Sequence, residues 1–249
     1  MRTHRTLLAV AAVALIVLPC AAQQAAAGSS AGAPGGLSLP VTAISAPASA
    51  SADAGALAWN QVAVRRIALH RTPRMHETEP PSEPEISSAD VRLARAGRKL
   101  LLQLSWADPT EDVGVIAQPP DNVPEKRNEK ILTESTSRFF DSAAIMLPAN
   151  GAGGTVTPSL QMGDAQHPVT IYYWNAARGA MLMEARGRET TKRTGRGFPA
   201  TSAYVAGRWT VTFELPDFPR DTPLTFAVWN GSQEDRDGRK YFSVWHFLE

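Results

Sequence analysis

The sequence predicts an all-β protein, an antiparallel β-sandwich with long loops and few or no helices. Three observations carry that expectation. Short runs rich in Val, Ile, Tyr, Phe and Trp recur between clusters of Gly, Pro, Asn and Asp, as strands do between turns. Asp90-Val-Arg-Leu-Ala-Arg95 alternates apolar with polar residues at the strand period. No segment repeats apolar residues at helical spacing, so helices are not available to cover a sheet and a second sheet must do so.

Taken in order, Trp59 to Val64 opens the ordered part with aromatic and β-branched residues. Thr78 to Glu85 is a proline-acid loop. The strand Asp90–Arg95, the turn Ala96-Gly97-Arg98 and the more apolar strand Lys99–Trp106 make a hairpin. From Ala107 to Arg138 the chain is polar and interrupted by prolines. A connection of that length is either a functional or partner-binding loop or a solvated insertion. Asp141–Pro148, Val169–Trp174 and Ala180–Ala185 follow as strands, and the Gly/Arg/Thr-rich segment Gly187 to Gly197 as a loop. Thr201–Ala206 and Trp209–Leu215 form a second hairpin through Gly207-Arg208. Leu224–Trp229 and a single strand Tyr241–Phe247 close the chain.

The first residues indicate export. Arg2, His4 and Arg5 form a basic start, Leu7 to Leu18 an apolar run too short to span a bilayer, and small residues near Ala22 to Ala27 offer cleavage sites. Residues 1–27 are therefore expected to be a secretory signal peptide and the mature protein periplasmic, with no membrane span after cleavage. Residues 28–54, rich in Ala, Ser, Gly and Pro, read as a disordered leader. Residues 55–249 read as one domain.

Removal of the signal takes away Cys20, the one cysteine of the chain. The mature protein is then without disulfides, thiolate metal sites, iron–sulfur ligation or covalently attached haem. The net charge is +1 and no basic block stands out, which argues against nucleic acid and anionic membranes as partners. Hydrolase and zincin motifs are missing, and five scattered histidines nominate no metal cluster.

One residue stands apart on chemistry. Of six methionines, Met146, Met181 and Met183 sit inside β-forming runs, where methionine fills gaps in cores. Met162 precedes Gly163 in a loop, and a thioether held on a loop is a soft ligand of the kind that binds haem iron axially.

Several stretches together resemble a known family. They are Asp141-Ser-Ala-Ala-Ile-Met-Leu-Pro148, Met162-Gly-Asp-Ala-Gln-His-Pro168 leading into Tyr172-Tyr-Trp174, and Gly207-Arg-Trp-Thr-Val211. The last are Phe226-Ala-Val-Trp-Asn-Gly-Ser232 and Asp237-Gly-Arg-Lys240 with the aromatic strand to Phe247. In order and spacing they resemble the haem b-binding γ subunit of type II dimethyl sulfoxide reductase-family molybdoenzymes, the group that serves ethylbenzene dehydrogenase, dimethylsulfide dehydrogenase, chlorate reductase and selenate reductase.

The resemblance implies a β-sandwich holding one haem b, with Met162 and Lys240 as axial ligands of the iron. It implies a non-catalytic electron-transfer subunit in a heterotrimer with a molybdenum-bearing catalytic subunit and an iron–sulfur subunit. Electrons would pass between the iron–sulfur subunit and a soluble periplasmic carrier.

His246 is the fallback ligand, since histidine is a common haem ligand. Unbroken strand alternation places Lys240, Phe242, Val244 and His246 on one face, with Lys240 and His246 roughly 20 Å apart along it. His167, close to Met162 in sequence, ranks third. Asp164 and His167 are candidates for holding the Met162 loop, and Arg239 for pairing with a haem propionate. Trp174, Trp229, Trp245, Tyr172 and Phe242 are expected mainly in the core, with a minority lining the cofactor. The competing class is a secreted β-sandwich module binding carbohydrate or another small ligand.

Overall fold

The computed structural model describes residues 37–43, 59–72, 84–113, 139–149 and 157–249. The chain divides into Met1–Gly32 and Ala33–Glu249, and every described residue belongs to the second unit. Residues 1–27, expected to be the signal peptide, the proline-acid loop up to Glu83 and residues 114–138 of the long connection lie outside the described residues.

The all-β expectation holds. The strands are β1 (Ser38–Leu39), β2 (Val41–Ala43), β3 (Val64–Ala68), β4 (His70–Arg71), β5 (Ser88–Ala96), β6 (Lys99–Ala107), β7 (Ser142–Pro148) and β8 (Val169–Asn175). They continue with β9 (Gly179–Ala185), β10 (Lys192–Arg193), β11 (Ala200–Tyr204), β12 (Arg208–Pro216), β13 (Pro223–Trp229), β14 (Tyr241–Phe242) and β15 (His246–Leu248). Two 3-10 turns, Trp59–Gln61 and Gly231–Gln233, are the remaining regular elements among the described residues.

The larger sheet runs β1-β15-β13-β7-β8-β9-β10, with β14 on β13 and β4 on β14. The smaller runs β11-β12-β6-β5-β2, with β3 also on β5. Both hairpins expected from the sequence, β5–β6 and β11–β12, are antiparallel neighbours.

The leader expectation needs correction at residues 37–43. Ser38–Leu39 pairs in parallel with Phe247–Leu248, and Val41–Ala43 in parallel with Leu93–Arg95. Leu39 is fully buried in the main core. A segment poor in large apolar residues still adds strands when a leucine, Leu39, and a valine, Val41, stand at the spacing of two sheet edges. The sandwich is therefore mixed rather than purely antiparallel.

Between the sheets, alternate residues of each strand interdigitate. Leu100, Leu102, Leu104 and Trp106 of β6 meet Ala143, Ile145 and Leu147 of β7 and Leu224, Phe226 and Val228 of β13. Trp106 and Trp209 from the smaller sheet enclose Trp174 from the larger, with ring centroids 5.0–6.4 Å apart.

Asp141 ties the ends of the long connection to this core. Its carboxylate accepts hydrogen bonds from the N–H groups of Asp112 (2.7 Å) and Gly231 (2.9 Å) and from Trp209 Nε1 (2.8 Å). Gly231 must be glycine here, because a Cβ would stand 2.5 Å from Asp112 Cβ and 2.7 Å from the Phe139 carbonyl. Burial raises the pKa of Asp141, and its three N–H donors oppose that rise. Asp108, fully buried beside it, is raised further, to about 7, by burial first and by the Asp141 charge second.

Candidate functional site

The outer face of the larger sheet is also apolar. On β7 and β13 nearly every residue is buried, so both faces are covered, although only one faces the other sheet. Ala144, Met146, Val169, Ile171, Ala227 and Trp229 form a second cluster there, with Leu160, Met162, Tyr173 and Phe242 packed on it. Ala144 and Ala227 are paired across β7 and β13. Two facing methyl groups leave a gap between larger neighbours. The result is a cleft, partly open to solvent, lined by Ala144, Met146, Leu160, Met162, Ile171, Ala227, Trp229 and Phe242 and by Lys240.

Two irregular segments roof the cleft. The first is the 157–168 loop, anchored where Trp245 Nε1 donates to the Pro158 carbonyl (3.1 Å). Met162 and Gly163 both have left-handed backbone, with φ of 73° and 71°. Such a conformation is uncommon for a methionine and has to be held from outside. The Gly163 N–H bonds to the Ser159 carbonyl and the Gly187 N–H to the Met162 carbonyl, each at 2.8 Å. Gly163 passes so close to the His167 carbonyl that a Cβ would meet it at 2.5 Å.

Asp164 stabilises the same turn by accepting from the N–H groups of Gln166 and His167, both at 2.9 Å. Its carboxylate also meets His167 Nδ1 at 3.1 Å and is held below the usual carboxylate range, chiefly by the His167 backbone N–H. Asp164 and His167 thus hold the Met162 loop, as expected, and His167 is committed to that turn.

The second segment is the turn after Gly231–Gln233, which delivers Lys240 just ahead of β14. Thr72 fixes the Lys240 backbone by donating its N–H and hydroxyl to the Lys240 carbonyl, both at 2.9 Å. The Lys240 amine reaches to 3.9 Å from Met162 Sδ and lies 5.4 Å from the Trp229 ring centroid. Burial, and then the Arg188 guanidinium, depress the amine below the ordinary lysine range, against the pull of Asp237. Residues 78 positions apart are brought together with a soft donor facing a nitrogen donor that burial pushes towards the neutral form.

His246 is not part of this arrangement, and the expected alternation from Lys240 to His246 is broken. Phe242 pairs with Ala227, while His246 pairs with Leu224, so four steps on the last strand match three on β13. The extra residue is a β-bulge, which splits the predicted single strand into β14 and β15. Ser243 staples it, with its hydroxyl accepting the Phe226 N–H (3.0 Å) and its carbonyl accepting the Thr225 hydroxyl (2.8 Å). After the bulge His246 turns to the inter-sheet face, against Phe226, at 6.1 Å between ring centroids. There burial lowers its pKa, and it cannot serve the cleft on the opposite side of the sheet.

Of the aromatics named from sequence, Trp229 and Phe242 line the cleft and Trp245 packs in the outer cluster, whereas Tyr172 and Trp174 belong to the main core. Met146, expected to fill the core, lines the cleft instead. Leu160, the alanine pair and Arg188 were missed. The available signal was the uniformly apolar β7 and β13, since a sandwich strand with one solvated face alternates.

Fold and site together define an all-β sandwich that carries an apolar cleft on the outer face of one sheet, with a thioether and a half-buried amine facing each other in it. Among the described residues no group of three or more His, Cys, Asp or Glu side chains converges to hold a bare metal ion, and no helix is long and apolar enough to cross a membrane.

No family model matches the chain. Individual relatives do. The chain is 30% identical over 204 residues to a protein of Haloferax mediterranei named as a respiratory nitrate reductase haem subunit, covering 76% of this chain and 64% of that protein. It is 27% identical over 222 residues to the dimethylsulfide dehydrogenase γ subunit of Rhodovulum sulfidophilum, covering 78% of this chain and 74% of that one. It is 25% identical over 162 residues to the chlorate reductase γ subunit of Ideonella dechloratans, covering 60% and 59%. The chain thus spans less than two thirds of the first and third of these relatives. The chain is similar to haem and γ subunits of such enzyme complexes, with modest identity to each relative.

Proposed function

We propose that this chain is a non-catalytic electron-transfer subunit that binds one haem b through Met162 and Lys240. The observation that carries the reading is the 3.9 Å approach of the Lys240 amine to the Met162 thioether across an apolar cleft. Met162 and Lys240 would hold the iron, as a sulfur and a nitrogen donor that already approach each other across the cleft. The donor set fits haem iron, for which a methionine ligand raises the potential. When bound, the group supplies one-electron chemistry.

The chain's own residues do the rest. The Asp164 turn and the Gly163 backbone hold Met162, Thr72 holds the root of Lys240, and burial depresses the pKa of the amine. Ala144, Ile171, Trp229 and Phe242 keep water away from the donors. By family likeness, the partners are a molybdenum-bearing catalytic subunit and an iron–sulfur subunit, and electrons pass on to a soluble periplasmic carrier. Export through residues 1–27 completes this reading.

Haem reconstitution of the purified mature chain tests it. A low-spin b-type spectrum that sharpens on reduction is expected, and Lys240→Ala or Met162→Ala should change both spectrum and potential. A colourless protein would favour the small-ligand module instead. An unchanged spectrum and potential in Lys240→Ala would remove the lysine from the site.

A further inference from the structure

The chain's net charge of +1 conceals a local concentration. Residues 186–196, which the sequence marks only as a Gly/Arg/Thr-rich loop, carry Arg186, Arg188, Lys192, Arg193 and Arg196 against the single carboxylate Glu189. All five cations are exposed. Among the described residues, no carboxylate forms an ion pair with Arg186, Arg188, Lys192 or Arg196. The segment is not remote from the cleft, because the Gly187 N–H bonds to the Met162 carbonyl and Arg188 bears electrostatically on Lys240.

The sheet register joins this charge to the cleft. Met146 is paired with Ile171, Ile171 with Met183, and Met183 with Arg193. One row on the outer face therefore runs from the cleft lining, through a partly exposed methionine, to a cation on the edge strand β10. Met181, next on that face, is also partly exposed. An adaptable thioether centre with a cationic rim has the composition of a protein-docking surface: it buries soft apolar area while its charges orient the approach. The row offers no aromatic face for stacking bases, so single-stranded nucleic acid fits it less well.

We infer that β9, β10 and the Arg186–Arg196 segment form the docking surface for an acidic redox protein, placed beside the Met162–Lys240 cleft. The inference rests on the electron-carrier reading above. Cations within a Debye length of one another, about 8 Å at physiological salt, act together on an approaching anionic partner and raise its association rate.

The test uses the haem-reconstituted mature chain in stopped-flow oxidation by ferricyanide and by hexaammineruthenium(III), across ionic strength. The ferricyanide rate should fall with salt and the ruthenium rate should rise. In the triple variant Arg186→Glu/Lys192→Glu/Arg196→Glu, the ferricyanide rate at low salt should drop roughly tenfold or more, with the haem spectrum unchanged. Equal salt dependence for the two probes, or an unaltered rate in the variant, overturns the inference while leaving the haem reading intact. Calorimetric titration with an acidic c-type cytochrome provides the arm that needs no haem. Binding that the triple variant loses would support the docking surface even if haem uptake failed, and no binding by the native chain would reject it.

Discussion

The two faces of the larger sheet are both apolar, yet they do different work. The inner face is closed by a second sheet, and its tryptophans, leucines and phenylalanines pack into one buried cluster. The outer face is covered by the 157–168 loop and the turn before Lys240, over a pair of alanines, so it keeps a cleft. Hydrophobic sequence alone does not distinguish a core from a binding site. What covers it does. The β-bulge at Ser243 decides which side each side chain joins, and it assigns His246 to the inner face while Lys240 stays at the cleft.

Deleting Val244 attacks that assignment directly. Removing the extra residue would restore alternation and rotate either β14 or β15 to the wrong face. We expect a loss of about 5 kcal/mol or more, read as failure of cooperative urea unfolding. A deletion tolerated within about 1 kcal/mol would show that the bulge does not set the two faces.

Matched truncations compare the faces themselves. Trp106→Ala on the inner face should cost about 3–5 kcal/mol, as full cavities in packed cores do. Met146→Ala on the outer face should cost about 1–2 kcal/mol, because its side chain already borders open space. Similar urea midpoints for the two variants would mean that the outer cluster is packed as tightly as the core.

The buried carboxyls beside the inner face add a pH dependence. The folded protein holds protons on Asp108 and Asp141 more tightly than the unfolded chain does, since both pKa values are raised above 3.8. Folded molecules therefore carry more bound protons between about pH 4 and about pH 7, and stability declines as pH rises through that window. The slope is at most about 1.4 kcal/mol per pH unit for each proton. Urea denaturation at several pH values should show a flatter profile for Asp108→Asn than for the native chain, and identical slopes would exclude Asp108 as the source.

The smallest expected effect is the most discriminating. Lys240→Met and His246→Leu should each change the stability of the haem-free protein by no more than about 1.5 kcal/mol. Only the first should alter the haem spectrum. A spectral change in His246→Leu would reinstate the histidine that the bulge turns away.

The strand pattern, the two hairpins and the all-β class were legible in the sequence, because alternation and turn residues are local signals. Met162 was legible as a loop methionine beside a glycine. The left-handed backbone it adopts there was not, since it depends on the Gly163 N–H donating to the Ser159 carbonyl and the Gly187 N–H donating to the Met162 carbonyl. The basic segment was visible residue by residue but not as a surface, because its position beside the cleft arises from strand register.

By itself, the sequence determined which segments become strands, which residues are soft or charged, and which family the chain resembles. Only the tertiary structure decided which apolar face stays open, that Lys240 reaches Met162, and that His246 does not. The physical reason is the period-two geometry of strands. One inserted residue reverses every side chain beyond it, and the backbone pairing that permits the insertion is settled by the partner strand.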